Sequence, residues 1–189
     1  LAPNLHLKSL KAGIFGLSQK YMKTIKSLTL ILMILCAVSI GAPAQTVLPS
    51  LDGAKIDVQS HRGKVVILAV GASWLPLSAK QAEFTNMLVK KYAAKNVVVY
   101  FVVTDSTNPK SKNYASDADV RKFVAANKLS VPVLRDSDGA VTLKKLKIDQ
   151  VPSFVILNKD GEPATEPFGG IDAKFDITVP IARAVDKVL

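Results

Sequence analysis

Few side chains beyond residue 44 could do covalent chemistry. The single cysteine, Cys36, lies inside the apolar run Leu28 to Ile40, so the segment that follows it has no thiol to serve as nucleophile, metal ligand or half of a disulfide. A hydroxyl nucleophile at Ser78 would need a base. The histidine available past residue 44 is His61, set in a polar stretch with no evident acid to orient it. Ser78 therefore reads as a first-turn helix serine bonded to backbone, and no residue is assigned a catalytic role. No second His or Cys stands at ligand spacing from His61, so no metal site is expected. Asp136-Ser137-Asp138-Gly139 offers too few oxygen ligands for a calcium loop and reads as a solvated turn. Nothing in the residues implies a cofactor.

The chain is organised around one junction, Gly71 to Ser78, where an apolar run stops, the lone Trp74 appears and a helical period begins. Val65 to Val70 is continuously apolar, as expected of a strand buried on both faces. From Pro76 to Lys95 the spacing predicts a helix, with Phe84, Met87, Leu88 and Tyr92 on its inward face and lysines elsewhere. Before the junction, Thr46 to Ser50 and Ala54 to Val58 flank an Asp-Gly turn and read as a hairpin. After it, Val97 to Val103 is a second buried strand, and Asp105 to Ala115 a polar loop. Ser116 to Asp119 resembles a capping box opening a helix with Val120, Phe123 and Val124 inward. Val131 to Leu134 reads as a short strand, Val141 to Lys147 as a helical segment with its lysines solvated, and Val151 to Leu157 as a strand. A Lys159-Asp160-Gly161 turn then leads to a strand from Pro163 to Phe168. A last helix, capped by Asp176 or Thr178, points Ile181, Val185 and Val188 inward. Strands bracketed by helices predict an α/β layer fold with a mixed sheet.

Charge is distributed unevenly. Lys and Arg outnumber Asp and Glu by 25 to 15, but residues 1 to 44 hold five lysines and no acid, leaving 20 against 15 in the remainder. That remainder has no Arg-rich run and no basic-aromatic interleaving, so nucleic acid is not expected as a partner. Residues 22–44 have the layout of a signal peptide: the basic Met22 to Lys26, the apolar Leu28 to Ile40, and Ala42-Pro43-Ala44 as a cleavage signal. Residues 1–21 then form an upstream extension, and residues 45–189 a single domain. Thirteen apolar residues fall short of the ~20 that span a bilayer comfortably, which favours export with cleavage over an anchor. The expected location is extracytoplasmic, with membrane attachment only if the leader is uncleaved.

The motif Gly63-Lys64-Val65-Val66-Ile67-Leu68, the Trp-x-Pro helix start, and the loop Gln150-Val151-Pro152-Ser153-Phe154 ahead of an apolar strand together resemble the TlpA/ResA branch of the thioredoxin superfamily over nearly all of residues 46 to 189. The resemblance implies a thioredoxin fold, with a mixed central sheet flanked by helices and an N-terminal β-hairpin, and it implies extracytoplasmic thiol-disulfide exchange. The departures lie at the centre of that activity. The family reads Trp-Cys-x-x-Cys at the helix start, where amides and dipole favour thiolate; the matching positions here are Leu75 and Ser78. The buried acid of the preceding strand matches Ala69, and the Glu after the second Cys matches Gln81. Each group that would make, protonate or resolve a thiolate is thus replaced by a neutral one.

What the resemblance leaves intact is Val151-Pro152. In the family the proline is cis, lies beside the thiol site, and the backbone before it pairs with an extended polypeptide. Main-chain pairing there, with an apolar shelf from Trp74, Leu75, Pro76 and Leu77, describes a peptide groove. Trp74 is then a platform; the alternative is an aromatic packed at the strand-helix junction, as Pro152 could simply start a strand. The expectation is a polypeptide-binding protein without dithiol exchange. The competing expectations are a family-type oxidoreductase acting in cell redox homeostasis through a partner thiol, and a structural assembly subunit.

Overall fold

A computed structural model describes residues 45–172 and 174–189; the expected extension and signal peptide, with Cys36, lie outside the described residues. Hairpin strands β1 (Val47–Pro49) and β2 (Lys55–Asp57) pair antiparallel, with Leu48 opposite Ile56. Between them Gly53 takes φ +86°, the left-handed turn conformation that the Asp-Gly dipeptide supplies.

The main sheet is built on β3 (Val65–Gly71) and β4 (Val97–Val103). They run parallel, joined by helix α1 (Ser78–Tyr92). Strand β5 (Val133–Arg135) adds parallel to β4, and β6 (Ser153–Leu157) antiparallel to β3, giving the order β5-β4-β3-β6. Helix α2 (Asp117–Ala126) precedes β5, the short α3 (Thr142–Lys145) follows it, and α4 (Thr178–Val188) ends the chain. This is the mixed sheet with flanking helices and N-terminal hairpin that the sequence leads one to expect.

Every residue of β3 is buried, because alternate side chains enter two separate cores. Val65, Ile67 and Ala69 join Phe84, Leu88, Val120, Ile181 and Val185 beneath the long helices. Val66, Leu68 and Val70 meet Leu48, Tyr100, Leu146 and Ile148 beneath the hairpin and α3. A continuous apolar run is thus the signature of a strand with packing on both faces. Ser116 opens α2 with a reciprocal capping box: its hydroxyl accepts from the Asp119 amide at 3.2 Å and its own amide donates to the Asp119 carboxylate. The Ser116 hydroxyl also donates to the Asp119 carboxylate at 2.6 Å, and this bond, then those from Lys122 and the Ser116 amide, holds the Asp119 carboxyl below the usual carboxylate range.

Several sequence expectations need correction. Helix α1 is shorter than Pro76 to Lys95, with Pro76 in the turn before it. Its inward face includes Gln81 and Thr85, while Met87, at the stripe's edge, is 41% exposed. The expected strand Val131 to Leu134 instead spans Val133 to Arg135; Pro132 has no amide to give, and only its carbonyl bonds to β4, accepting from the Phe101 amide. The strand from Pro163 to Phe168 is reduced to two isolated bridges, Leu157 with Pro163 and Phe154 with Phe168, because Pro163 and Pro167 cannot donate. Asp136 is not solvated: it is buried and accepts from the amides of Val141 and Thr142 and from the Thr142 hydroxyl. At the last helix it is Asp176 that accepts, from the Thr178 amide and hydroxyl. Val188 there is only half-buried.

Candidate functional site

Strand β3 delivers the chain to the junction, and the end of β4 holds it there. The Gly71 carbonyl accepts from both the amide and the hydroxyl of Thr104, at 2.7 and 3.0 Å. Two residues on, the buried Asp105 carboxylate accepts from the Ser73 amide at 2.8 Å and the Ser73 hydroxyl at 2.5 Å. The backbone is therefore pinned on the residue before Trp74, whose indole is 53% exposed. Leu75 and Leu77 are half-buried and Pro76 is exposed, so four apolar side chains in a row border solvent. The first turn of α1 contains no acid and no side-chain cap, which leaves the positive end of the helix uncompensated.

Ser78 is fully buried and donates its hydroxyl to the Ala72 carbonyl at 2.5 Å. It faces inward and its proton is engaged, so the backbone-bonded serine read from the sequence is the one found. His61 lies elsewhere. Its Nε2 is 2.8 Å from the Tyr100 hydroxyl, on the hairpin face of the sheet. Burial, then Lys64, push the His61 imidazole below its ordinary pKa, with Asp57 opposing. Burial pushes the Tyr100 phenol up. Ser78 and His61 thus belong to different parts of the molecule and form no nucleophile-base pair.

Behind the junction, Gln81 takes the place where an acid would sit. Fully buried, its Nε2 donates to the Val70 carbonyl at 3.1 Å and the Ser153 carbonyl at 2.8 Å, clipping the end of β3 to the start of β6. Two facing carbonyls fix the amide's orientation, because the flipped form would set oxygen against oxygen. The Gln81 Oε1 and the Ser153 hydroxyl have no partner among the described residues. Gly71 leaves room for them: a β-carbon there would come within 2.2 Å of Oε1, so the Gln81 amide would have to move. Ala69 is fully buried between its sheet partners Phe101 and Phe154. An unpaired carboxylate at that point would carry a desolvation cost of several kcal/mol.

The Val151-Pro152 peptide is cis. Pro152 is buried, and its β-carbon lies 3.6 Å from the point where a β-carbon on Gly71 would stand. The strand start and the helix entrance are therefore neighbours. Val151 is half-buried, and no backbone group among the described residues bonds its amide or carbonyl. Gly71 and Gln81 thus join the end of β3 and the helix entrance, which holds Trp74, Leu75, Pro76, Leu77 and Ser78, to the start of β6 after Val151-Pro152, while Ala69 lies two residues before Gly71 in β3. Asp105 and the Ser73 hydroxyl were missed by sequence reasoning, which assigned Asp105 to a polar loop; an acid two residues beyond the end of an all-apolar strand is the signal that could have found it.

A mixed sheet with an α1 entrance beside a cis-proline loop defines a thioredoxin-like protein, here with Leu75 and Ser78 where a dithiol would stand. The sequence model of the AhpC/TSA family matches residues 40–162, and the chain belongs to that family. Among its relatives, it is 28% identical over 120 residues to the thiol-disulfide oxidoreductase ResA of Bacillus thuringiensis subsp. konkukian, a match covering 64% of this chain. The matched region also spans 64% of that relative's length. Among solved structures, a protein from Chlorobium tepidum assigned as the thiol:disulfide interchange protein DsbE superposes with a TM-score of 0.61 at 22% identity, over 75% of this chain and 94% of that one. The pneumococcal exposed lipoprotein thioredoxin Etrx1 of Streptococcus pneumoniae superposes with a TM-score of 0.58 at 25% identity, over 74% of this chain and 99% of that one. Among the described residues no three His, Cys, Asp or Glu side chains are placed to hold a metal ion, and no helix is long and apolar enough to cross a membrane.

Proposed function

We propose that this protein binds an extended polypeptide at the α1 entrance without exchanging sulfur with it, in an extracytoplasmic compartment. The observation that carries the reading is the state of the two positions where family members have cysteines. Leu75 contributes apolar surface, and Ser78 is buried with its hydroxyl committed to Ala72, so no nucleophile faces the entrance. What does face it is the apolar row from Trp74 to Leu77, while Val151, whose backbone has no bond among the described residues, directly precedes the Pro152 that neighbours Gly71. An extended chain can bond to that backbone while its side chains rest on the apolar row, the mode in which main-chain pairing gives affinity and shallow pockets give selectivity. The extracytoplasmic assignment is supported by the signal-like residues 22–44 and by the exposed lipoprotein among the structural neighbours.

The test uses a fluorescein-labelled insulin B chain with alkylated cysteines as an unfolded, thiol-free probe, read by anisotropy. Binding is expected, and Trp74→Ala with Leu75→Glu weakens it about tenfold or more, as loss of a buried aromatic anchor at an interface does. Equal binding by the double variant would overturn the reading.

A second reading has one observation in its favour: the relatives are named as thiol-disulfide oxidoreductases. On that reading the chain acts in redox homeostasis through a thiol supplied by a partner. Insulin reduction in the presence of dithiothreitol, faster than the reagent alone and surviving removal of contaminating thioredoxin, would establish it and displace the first reading.

A further inference from the structure

Alongside α1 a groove of about 820 Å³ runs from Pro76 and Leu77 at the helix entrance to the loop that follows α2. Its floor is Asn86. The Asn86 side-chain amide donates to the carbonyls of Asn127 and Lys128, and its oxygen accepts from the amide and hydroxyl of Ser130. Four bonds from one side chain tie the helix to the opposite wall. The groove is thus a built feature of the fold, and it is continuous with the entrance through two shared residues.

Its charges are of nearly one sign. The groove is lined by Lys80, Lys90 and Lys128 and by one acid, Glu83. Lys80 lies 2.8 Å from the Glu83 carboxylate and 4.9 Å from the centre of the Phe84 ring, so these two largely cancel. Lys90 and Lys128 are exposed and take part in none of the ion pairs among the described residues. The negative end of α2, which also borders the groove, is muted. The carbonyls of Phe123, Val124 and Ala125 accept from Asn127, Leu129 and Lys128, and those of Asn127 and Lys128 from Asn86. Two uncompensated cations remain, set beyond the apolar row.

We propose that the groove takes an acidic stretch of the bound polypeptide, so that the ligand class is an extended segment with apolar residues at Trp74 to Leu77 and carboxylates following along α1 toward Lys90 and Lys128. This rests on the peptide-binding reading of the entrance and adds polarity and register to it. Two partly exposed charge pairs change affinity by a modest factor that salt screens, which suits selection among peptides better than tight capture.

The experiment compares three fluorescein-labelled peptides that share one apolar segment and end in an acidic, a neutral or a basic tail, titrated with the full chain at low and at physiological salt. The acidic tail is expected to bind roughly fivefold tighter than the neutral one, with the difference shrinking as salt rises. Lys90→Glu with Lys128→Glu alters only exposed side chains; it is expected to abolish the acidic preference and confer a basic one. Binding with no tail preference, or an acidic preference that persists in the charge-reversed variant, overturns the groove proposal while leaving peptide binding at the entrance standing. Absence of binding to all three peptides overturns the entrance reading and this one with it. A groove filled by a second copy would appear as self-association lost in the charge-reversed variant without any peptide preference, and that result also overturns the proposal.

Discussion

At position 81 the amide does something neither a carboxylate nor an apolar side chain could do. Its two N–H groups reach two carbonyls on different strands at once, Val70 and Ser153. A carboxylate there would face both oxygens with no proton to offer, so in Gln81→Glu the folded protein holds the side chain protonated, with a pKa raised above the unfolded value of about 4.3. The variant's stability is then fully present below that unfolded value and declines as pH rises through the folded one. In urea denaturation, Gln81→Glu should lie at least about 1–3 kcal/mol below the parent at pH 8, the cost of an unmade buried hydrogen bond, and recover part of that at pH 5. His61 has the opposite pH dependence. Its imidazole titrates below its ordinary value because of burial and Lys64, so the unfolded chain takes up the proton first as pH falls. Stability from this site is complete above about pH 6.5 and is lost as pH drops through the lowered folded value. His61→Gln should flatten the denaturation midpoint between pH 7 and pH 5, and an unchanged slope would show that other groups set it. Leu75→Cys with Ser78→Cys restores two thiols at the helix start, one half-exposed and one buried. With Gln81 and Ala69 unchanged, the pair is expected to oxidise, read as loss of both titratable thiols, yet to reduce insulin more slowly than when Gln81→Glu is added, since the amide is neither a general acid nor a general base near neutral pH.

At the scale of elements, the long apolar strands were legible and the polar joints between elements were not. Val65 to Val70 and Val97 to Val103 announce two-sided burial because no polar residue interrupts them, and each matches its strand to within a residue. The hairpin and the α2 capping box were likewise readable, since both depend on contacts a few residues apart. Polar groups that are buried to join distant segments left no such trace. Gln81 and Thr85 occupy the inward face of α1 that a hydrophobic period assigns to Met87. Asp136 looks like a solvated turn residue until the amides of Val141 and Thr142 close on it. Asp105 finds Ser73 across 32 positions of sequence. For the candidate site, the residue types at 69, 75, 78 and 81 could be read directly, but the pinning of the loop, the inward turn of Ser78 and the clip at Gln81 are set by tertiary contacts that no local pattern encodes. The joint between α1 and α4 is of the same kind: the Tyr92 hydroxyl lies 2.9 Å from the Asp186 carboxylate and 3.2 Å from the Ala182 carbonyl. Burial and Asp186 push this phenol well above its ordinary value. Tyr92→Phe keeps the ring and removes the bonds, and should cost about 1 kcal/mol in chemical denaturation.

Across the whole described domain, one sheet separates two cores, and the helical side carries the larger aromatic content. Phe101 is fully buried on that side, with the Phe123 ring 5.8 Å away. Phe101→Ala should cost about 3–5 kcal/mol, enough to use up much of the stability of a domain this size, and a smaller loss would mean that the α2 side collapses into the space. The same sheet has two outer strands, and they are treated differently. Short β5 is partly covered from the hairpin side, where Leu51 donates its amide to the Val133 carbonyl and Ser50 bridges to Leu134. Beyond β6 runs the segment from Pro163 to Phe168, joined to it by two bridges and holding two prolines, with Glu162 and Glu166 exposed. A border with missing amides and negative charges is a poor template for another chain's strand. The prolines that keep this segment from becoming a proper strand therefore also act as a guard against self-propagating sheet growth, a useful property in a protein proposed to hold other polypeptides in extended form.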